Sequence, residues 1–133
     1  MSQENVDRFI EATEAFNRGD VRAGLRVMDP EVQFEPVQAA LQGTYAGHEG
    51  VREWFADIAE HYVVGSPHVC YTDIRDLGDR VLGIGMLRFT GKGSGINTEV
   101  PLAVLVRFRN GLITQMKDYG DRDKALEAAG LRE

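Results

Sequence analysis

Asp118 is the residue whose surroundings in the sequence point most clearly to chemistry. A strand is predicted over 112–119, and alternation places Asp118 on the same face as Leu112 and Met116. A carboxylate on an apolar wall is poorly hydrated, which raises its pKa towards the range that a general acid or base needs near pH 7. The alternative is a carboxylate that ends the strand and is solvated or paired with an arginine. The sequence leaves both interpretations open.

Other chemical motifs are incomplete. The glycine-rich run over 91–95 lacks the spacing of a phosphate-binding loop and precedes a strand, so we interpret it as a hairpin tip. The three histidines, His48, His61 and His68, have no metal-ligand spacing, and one cysteine provides no thiolate cluster. We therefore expect no metal and no cofactor. Cys70 lies in the middle of a predicted strand, where we expect a small core residue rather than a nucleophile.

The composition is that of one acidic domain spanning residues 1–133. The chain has 21 acidic and 15 basic residues and a net charge of −6, which argues against nucleic acid as a partner. Residues 1–66 hold 12 of the acids and only 5 of the bases. No apolar run approaches the roughly 18 residues of a membrane span, and nothing resembles a signal peptide. We therefore expect a cytoplasmic protein that binds neither a membrane nor nucleic acid.

Helical periodicity and capping residues predict three helices in the first half of the chain and one at its end. A first helix from Ser2 and a third helix after Gly47 both carry apolar residues at helical spacing. Asp20 is predicted to cap a short second helix, and Asp121 a last one. The stripes consist of Val6, Phe9, Ile10, Thr13 and Phe16 in the first helix, and of Val51, Trp54, Phe55, Ile58 and Tyr62 in the third.

From residue 68 onwards the apolar period becomes two, which predicts strands. After a short strand at 32–35, four strands are expected at 68–75, 80–90, 98–108 and 112–119. Asn110-Gly111 is a strong hairpin signal, so consecutive antiparallel pairing follows. One face of strand 98–108 carries Val100, Leu102, Val104 and Val106, and the other carries Ala103 and Leu105. Because both faces are apolar, we expect one to pack on the helices and the other on a second subunit. The fold class is α+β.

Four short sequence motifs in this order resemble the SnoaL-like branch of the nuclear transport factor 2-like superfamily. They are Asn17-Arg18-Gly19-Asp20, Asp29-Pro30-Glu31-Val32, Gly47-His48-Glu49-Gly50-Val51-Arg52-Glu53-Trp54-Phe55, and Asn110-Gly111 leading to Asp118-Tyr119-Gly120-Asp121. The resemblance implies a cone-shaped barrel, in which a curved, mostly antiparallel sheet wraps around the N-terminal helices and encloses an apolar pocket. It also implies a homodimer through the outer sheet face. It implies no single chemistry, because the superfamily includes cyclases, isomerases, hydrolases and binding modules.

The resemblance also implies roles for two carboxylates. Asp118 stands where the cyclases keep an acid on the last strand, and Glu35 before Pro36 resembles the base of ketosteroid isomerase in position. Alternation places Glu35 opposite Phe34, so Glu35 faces water if Phe34 fills the core. The isomerase's oxyanion-binding residues are replaced here by Ala12 and, approximately, Val104. The Arg-x-Asp pair of the epoxide hydrolase is also absent, which argues against that reaction.

An internal pocket must be lined by some of the predicted core residues. Tyr45 and Trp54 are favoured because each combines an apolar ring with a polar group that can orient a ligand. The further expected ligand contacts are Phe55, Met86, Arg88 and Met116. Arg88 is either a cation in the pocket or a strand-end residue that reaches solvent.

The sequence leaves two functions open. The first is binding of a small apolar oxygenated molecule, such as a polyketide, steroid or terpenoid, with cofactor-independent isomerase or cyclase chemistry on a carboxylate. The alternative is a non-catalytic ligand-binding or dimerisation module, favoured by the missing oxyanion partners.

Overall fold

Four helices and six strands make up the computed structural model, which describes residues 2–36, 44–63 and 66–131. In chain order they are α1 (Ser2–Arg18), α2 (Val21–Arg26), β1 (Met28–Glu35), β2 (Tyr45–Ala46), α3 (Gly47–His61), β3 (His68–Asp76), β4 (Arg80–Thr90), β5 (Asn97–Arg109), β6 (Leu112–Asp118) and α4 (Arg122–Ala128).

The helices form where the apolar spacing predicts them. Asp20 caps α2 by accepting a 3.0 Å hydrogen bond from the Ala23 amide, and this bond lowers the pKa of the Asp20 carboxyl. On α1 the buried face contains Phe9 and Ala12, whereas Ile10 is 39% exposed, because it lies about 100° further around the helix than Phe9. No helix within the described ranges is long and apolar enough to cross a membrane.

The strands form one mixed sheet in the order β2-β1-β6-β5-β4-β3. As predicted, β3 to β6 pair consecutively and antiparallel. The N-terminal strand β1 pairs in parallel with β6 and antiparallel with β2. Since β2 and β3 are both edges, the curved sheet is not closed into a barrel, and it forms the α+β cone that was expected.

The concave face of the sheet holds the larger core. Val81, Gly83, Gly85 and Leu87 of β4 alternate onto this face. A Cβ atom at Gly83 would lie 2.5 Å from the ring of Phe9, so glycine is what lets α1 approach the sheet. The apolar side chains of this core include Phe9, Ala12, Leu25, Val27, Met28, Val32, Val51, Val81, Leu102, Val104, Val106, Phe108 and Ile113.

The convex face carries a second, smaller core beneath α4. Ala103 and Leu105 are buried there with Leu82, against Ala125 and Leu126 of the terminal helix. Helices of the same chain thus cover both faces of β5 here, α4 covering Ala103 and Leu105. The expected homodimer stays a prediction.

Cys70 is exposed, so the expectation that it is a small core residue is wrong. It pairs with Met86 on β4 and alternates with the inward-facing residues Val69 and Tyr71. The sequence could not reveal this because neighbouring positions of β3 are apolar on both sides of Cys70.

Candidate functional site

A cavity of about 90 Å³ lies between the helices and the concave face of the sheet. Its walls come from α1, α2, α3 and all the long strands. Among the described residues lining it, Asp118 carries the only carboxyl group, and none is a lysine, arginine or histidine. The lining consists of Ala12, Thr13, Phe16, Gly24, Met28, Phe34, Pro36, Val51, Trp54, Phe55, Val69, Tyr71, Leu87, Leu102, Val104, Met116 and Asp118.

Asp118 is buried at the end of β6, with 5% of its surface exposed. Its Oδ1 accepts a 2.8 Å hydrogen bond from the Gly120 amide and a longer, 3.4 Å one from the Ala103 amide. Burying a carboxylate is costly unless it accepts hydrogen bonds, and amide donors stabilise its ionised form. The Asp118 carboxyl group is thus buried and hydrogen-bonded to backbone amides, and it is not solvated at the end of the strand.

The apolar neighbour of Asp118 and Met116 on β6 is Ile113, not Leu112. Ile113 is fully buried, whereas Leu112 is partly exposed. A bulge causes this difference, because the register between β5 and β6 shifts between Arg107 and Phe108. A bulge inserts one residue and reverses the alternation beyond it, so the parity inferred from the sequence holds only from Met116 to Asp118.

Tyr71 adds a hydroxyl group to the same cavity. Gly83 on β4 leaves room for the ring, because a Cβ atom there would lie 2.9 Å from its Cδ1 and Cε1 atoms. The ring packs 4.8 Å from the ring of Phe9, centroid to centroid. Burial and the negative charge of Asp118 raise the pKa of the Tyr71 phenol well above its usual value. The phenol therefore stays protonated and can donate a hydrogen bond. Tyr71 is not among the ligand contacts expected from the sequence, although Gly83 and Gly85 on the neighbouring predicted strand were a usable signal.

Aromatic rings form the wall of the cavity at α3. Trp54 stacks on Phe16 at a centroid distance of 5.1 Å and meets Phe34 edge-on at 4.6 Å. Phe55 meets both Trp54 and Phe16 edge-on. The indole Nε1 of Trp54 is buried and has no hydrogen-bond acceptor among the described residues. Trp54, Phe55 and Met116 thus line the cavity, as the sequence analysis expected.

Tyr45 is buried behind this wall and does not line the cavity. Its hydroxyl donates a 3.3 Å hydrogen bond to Asp57 on α3. Its ring packs in a cluster with Phe34 and Trp54. Tyr45 therefore packs behind Trp54, whose ring lines the cavity, and does not line the cavity itself.

Glu35, Met86 and Arg88 also lie outside the cavity lining. Phe34 fills the core, so Glu35 points to the convex face, in register with Lys117. On β4 the odd-numbered residues, such as Leu87, face the cavity. The even-numbered Met86 and the exposed Arg88 therefore lie on the opposite, convex face. The sequence could not decide this parity because both faces of β4 are apolar.

No group of three or more histidine, cysteine or acidic side chains comes together as a metal site in the parts of the chain that the structure describes. The polar side-chain groups that line the cavity are the Asp118 carboxyl, the Tyr71 phenol, the Thr13 hydroxyl and the Trp54 indole N–H.

Comparison with known proteins agrees with this architecture. The model of the SnoaL-like domain matches residues 6–116. Similar solved structures include a nuclear transport factor 2-like protein of unknown function from Burkholderia pseudomallei, with 23% identity over 93% of this chain and 95% of that chain and a TM-score of 0.78. TerC co-crystallised with polyporic acid has 23% identity over 96% and 98% of the two chains and a TM-score of 0.77.

A third similar structure is a protein of ketosteroid isomerase-like fold from Catenulispora acidiphila in complex with trimethylamine. It has 23% identity over 93% of this chain and 92% of that chain, with a TM-score of 0.75. No curated protein matches this chain. Since the family model covers most of the sequence and the open cone of the structure agrees with it, the chain belongs to the SnoaL-like family.

Proposed function

We propose that this protein binds a small apolar carbonyl compound in the cavity and moves a proton next to the carbonyl group, with Asp118 as the acid/base. The observation that carries the proposal is the pairing of one buried carboxylate with one protonated phenol in an otherwise apolar lining. Water is largely excluded by such walls, so charges that develop on a ligand depend on these two groups.

The two groups divide the reaction between them. Asp118 removes a proton from the carbon beside the carbonyl, and the electron pair of that C–H bond moves towards the carbonyl oxygen. The Tyr71 hydroxyl donates a hydrogen bond to that oxygen as negative charge develops on it. Asp118, now protonated, returns the proton to the same carbon or to another carbon of the enolate. The proton and the electrons balance within the substrate, so no cofactor is required.

A non-catalytic binding module is the second candidate, and the hydrogen bonds of Asp118 favour it. Both the Gly120 and the Ala103 amides bond to its Oδ1, which is also what a carboxylate with a purely structural role at a strand end would do. In that case the cavity holds its ligand by apolar contact and by the Tyr71 hydroxyl alone.

Deuterium exchange distinguishes the two candidates without a known product. Ring ketones with one or two rings are incubated with the protein in D₂O, and NMR follows loss of the proton beside the carbonyl. We expect Asp118→Asn to slow this exchange by roughly 10²–10⁴-fold, because a positioned acid/base contributes about that much. Asparagine retains an acceptor for the Gly120 amide, so the fold should persist.

Glu35→Gln is the matched control, since it also removes one carboxylate but on the convex face, outside the cavity. Exchange at the wild-type rate in Asp118→Asn contradicts the acid/base role. Ligands that raise the melting temperature but exchange no faster than in buffer indicate the non-catalytic module; a ligand at 100 times its Kd stabilises the fold by about 2.7 kcal/mol.

A further inference from the structure

A second depression, a surface groove, adjoins the cavity between the C-terminal end of α1 and α3. It has a volume of about 460 Å³. Phe16 and Phe55 line both the groove and the cavity, and their rings meet edge-on with centroids 6.0 Å apart. This ring pair is therefore the boundary between the two spaces. The rest of the groove is largely apolar, with Ile58 and Tyr62 among its walls.

The charges of the groove differ from those of the chain around it. Its lining contains Arg18 and Arg52 and no acidic residue among those described. This is unusual here, because residues 1–66 hold 12 acids and only 5 bases. Arg18 is 3.7 Å from Asp20, which offsets part of its charge. Arg52 is exposed and forms no ion pair with any described residue.

The sizes of the two spaces bear on what they hold. Pockets for drug-sized ligands usually measure about 300–1,000 Å³, and the cavity alone, at about 90 Å³, is well below that range. A ligand with more than a few heavy atoms therefore extends beyond the cavity, and the groove adjoins the cavity at the Phe16–Phe55 boundary. The part of the ligand that lies there meets apolar walls and a cationic rim.

We propose that the groove binds the anionic end of an amphipathic ligand whose apolar body reaches into the cavity, with Arg52 as the ion-pair partner of the anion. This inference rests on the proposed ligand-binding function and specifies the ligand class as apolar molecules with a terminal acidic group. The neighbouring position Val51 lines the cavity, so consecutive residues of α3 contact the two ends of the ligand.

Two fluorescent probes test the proposal. Anilinonaphthalene sulfonate is anionic, and phenylnaphthylamine is the same aromatic body without the sulfonate. We expect Arg52→Gln to raise the Kd of the sulfonate about two- to fivefold, which is the range of an exposed ion pair, and to leave the Kd of the neutral probe within about 1.5-fold. Arg52→Glu should raise the sulfonate Kd further, and added salt should reduce the difference between wild type and variant.

Two further variants serve as controls. Arg109→Gln removes the same charge at the opposite end of α1, near Glu4, and should leave both Kd values almost unchanged. Ala12→Leu narrows the cavity and should weaken both probes. An equal effect of Arg52→Gln and Arg109→Gln on the sulfonate contradicts the proposal, since it indicates net charge alone. No change in either Kd on Ala12→Leu also contradicts it, because the probes then bind elsewhere.

The outcomes separate this inference from the proposed function. If both probes bind, Ala12→Leu weakens both and Arg52→Gln affects neither, the anion site is wrong and the apolar cavity stands as a binding site. If neither probe binds to the wild-type protein, the proposed ligand-binding function fails along with this inference.

Discussion

Replacing Asn17 by alanine should destabilise the protein by about 1.5–3 kcal/mol, because its side chain completes the edge of the sheet. The Asn17 amide group donates a 3.0 Å hydrogen bond to the Val69 carbonyl, and its Oδ1 accepts a 2.8 Å bond from the Val69 amide. Val69 lies on β3, an edge strand, so these backbone groups have no neighbouring strand to bond. Asn17 supplies from α1 the two bonds that a seventh strand would make.

The magnitude follows from these two bonds. Each contributes about 1 kcal/mol net, and the alanine gains roughly 0.5 kcal/mol in helix propensity. That gives about 1.5 kcal/mol when water replaces the lost partners. The figure rises towards about 3 kcal/mol if water cannot reach the partly buried Val69 groups, since an unsatisfied buried group costs about 1–3 kcal/mol.

Urea unfolding followed by the fluorescence of Trp54, the single tryptophan, measures the change. Asn5→Ala is the matched control on the same helix. Asn5 donates one exposed bond to the Gly78 carbonyl, so its loss should change the free energy of unfolding by no more than about 0.5 kcal/mol. An Asn17→Ala variant no less stable than Asn5→Ala refutes the reasoning about the sheet edge.

Two further predictions concern Tyr71 and the glycines of β4. The unfolded chain loses its tyrosine proton near pH 10, and the folded state retains it because burial and Asp118 raise the pKa of Tyr71, so stability falls above that pH. Urea unfolding between pH 9 and 11.5 measures this decrease in the free energy of unfolding. Tyr71→Phe should make the decrease smaller by up to about 1.4 kcal/mol per pH unit. The same pH dependence in the variant and the wild type contradicts the prediction. Gly85→Ala should cost about 3 kcal/mol or more in thermal or urea unfolding, because the added Cβ overlaps the carbonyl of Cys70. Gly24→Ala is the control, expected to be neutral or stabilising because its Cβ meets only Ala15, at 3.8 Å; equal effects of the two changes contradict the close-approach argument.

The elements and the family were predictable from the sequence because their signals are local. Capping by Asp20 and the hairpin at Asn110-Gly111 each depend on a few neighbouring residues, and both are present in the structure. That Asp118 shares a face with Met116 was also predictable, since the alternation holds over so short a distance, but the sequence left open whether this carboxyl group is buried or solvated. Signals of this kind are reliable because the backbone geometry of a helix or strand alone fixes which nearby side chains share a face.

Tertiary structure decided which residues join Asp118. Tyr71 lies on the far edge strand, and the space for its ring depends on Gly83 of the neighbouring strand. Strand β4 has apolar residues on both faces, so only packing against α1 and α4 determined that Leu87 points inward and Met86 outward. The physical reason is that alternation fixes which residues share a face, whereas the partner that covers each face is chosen by contacts between elements distant in the chain.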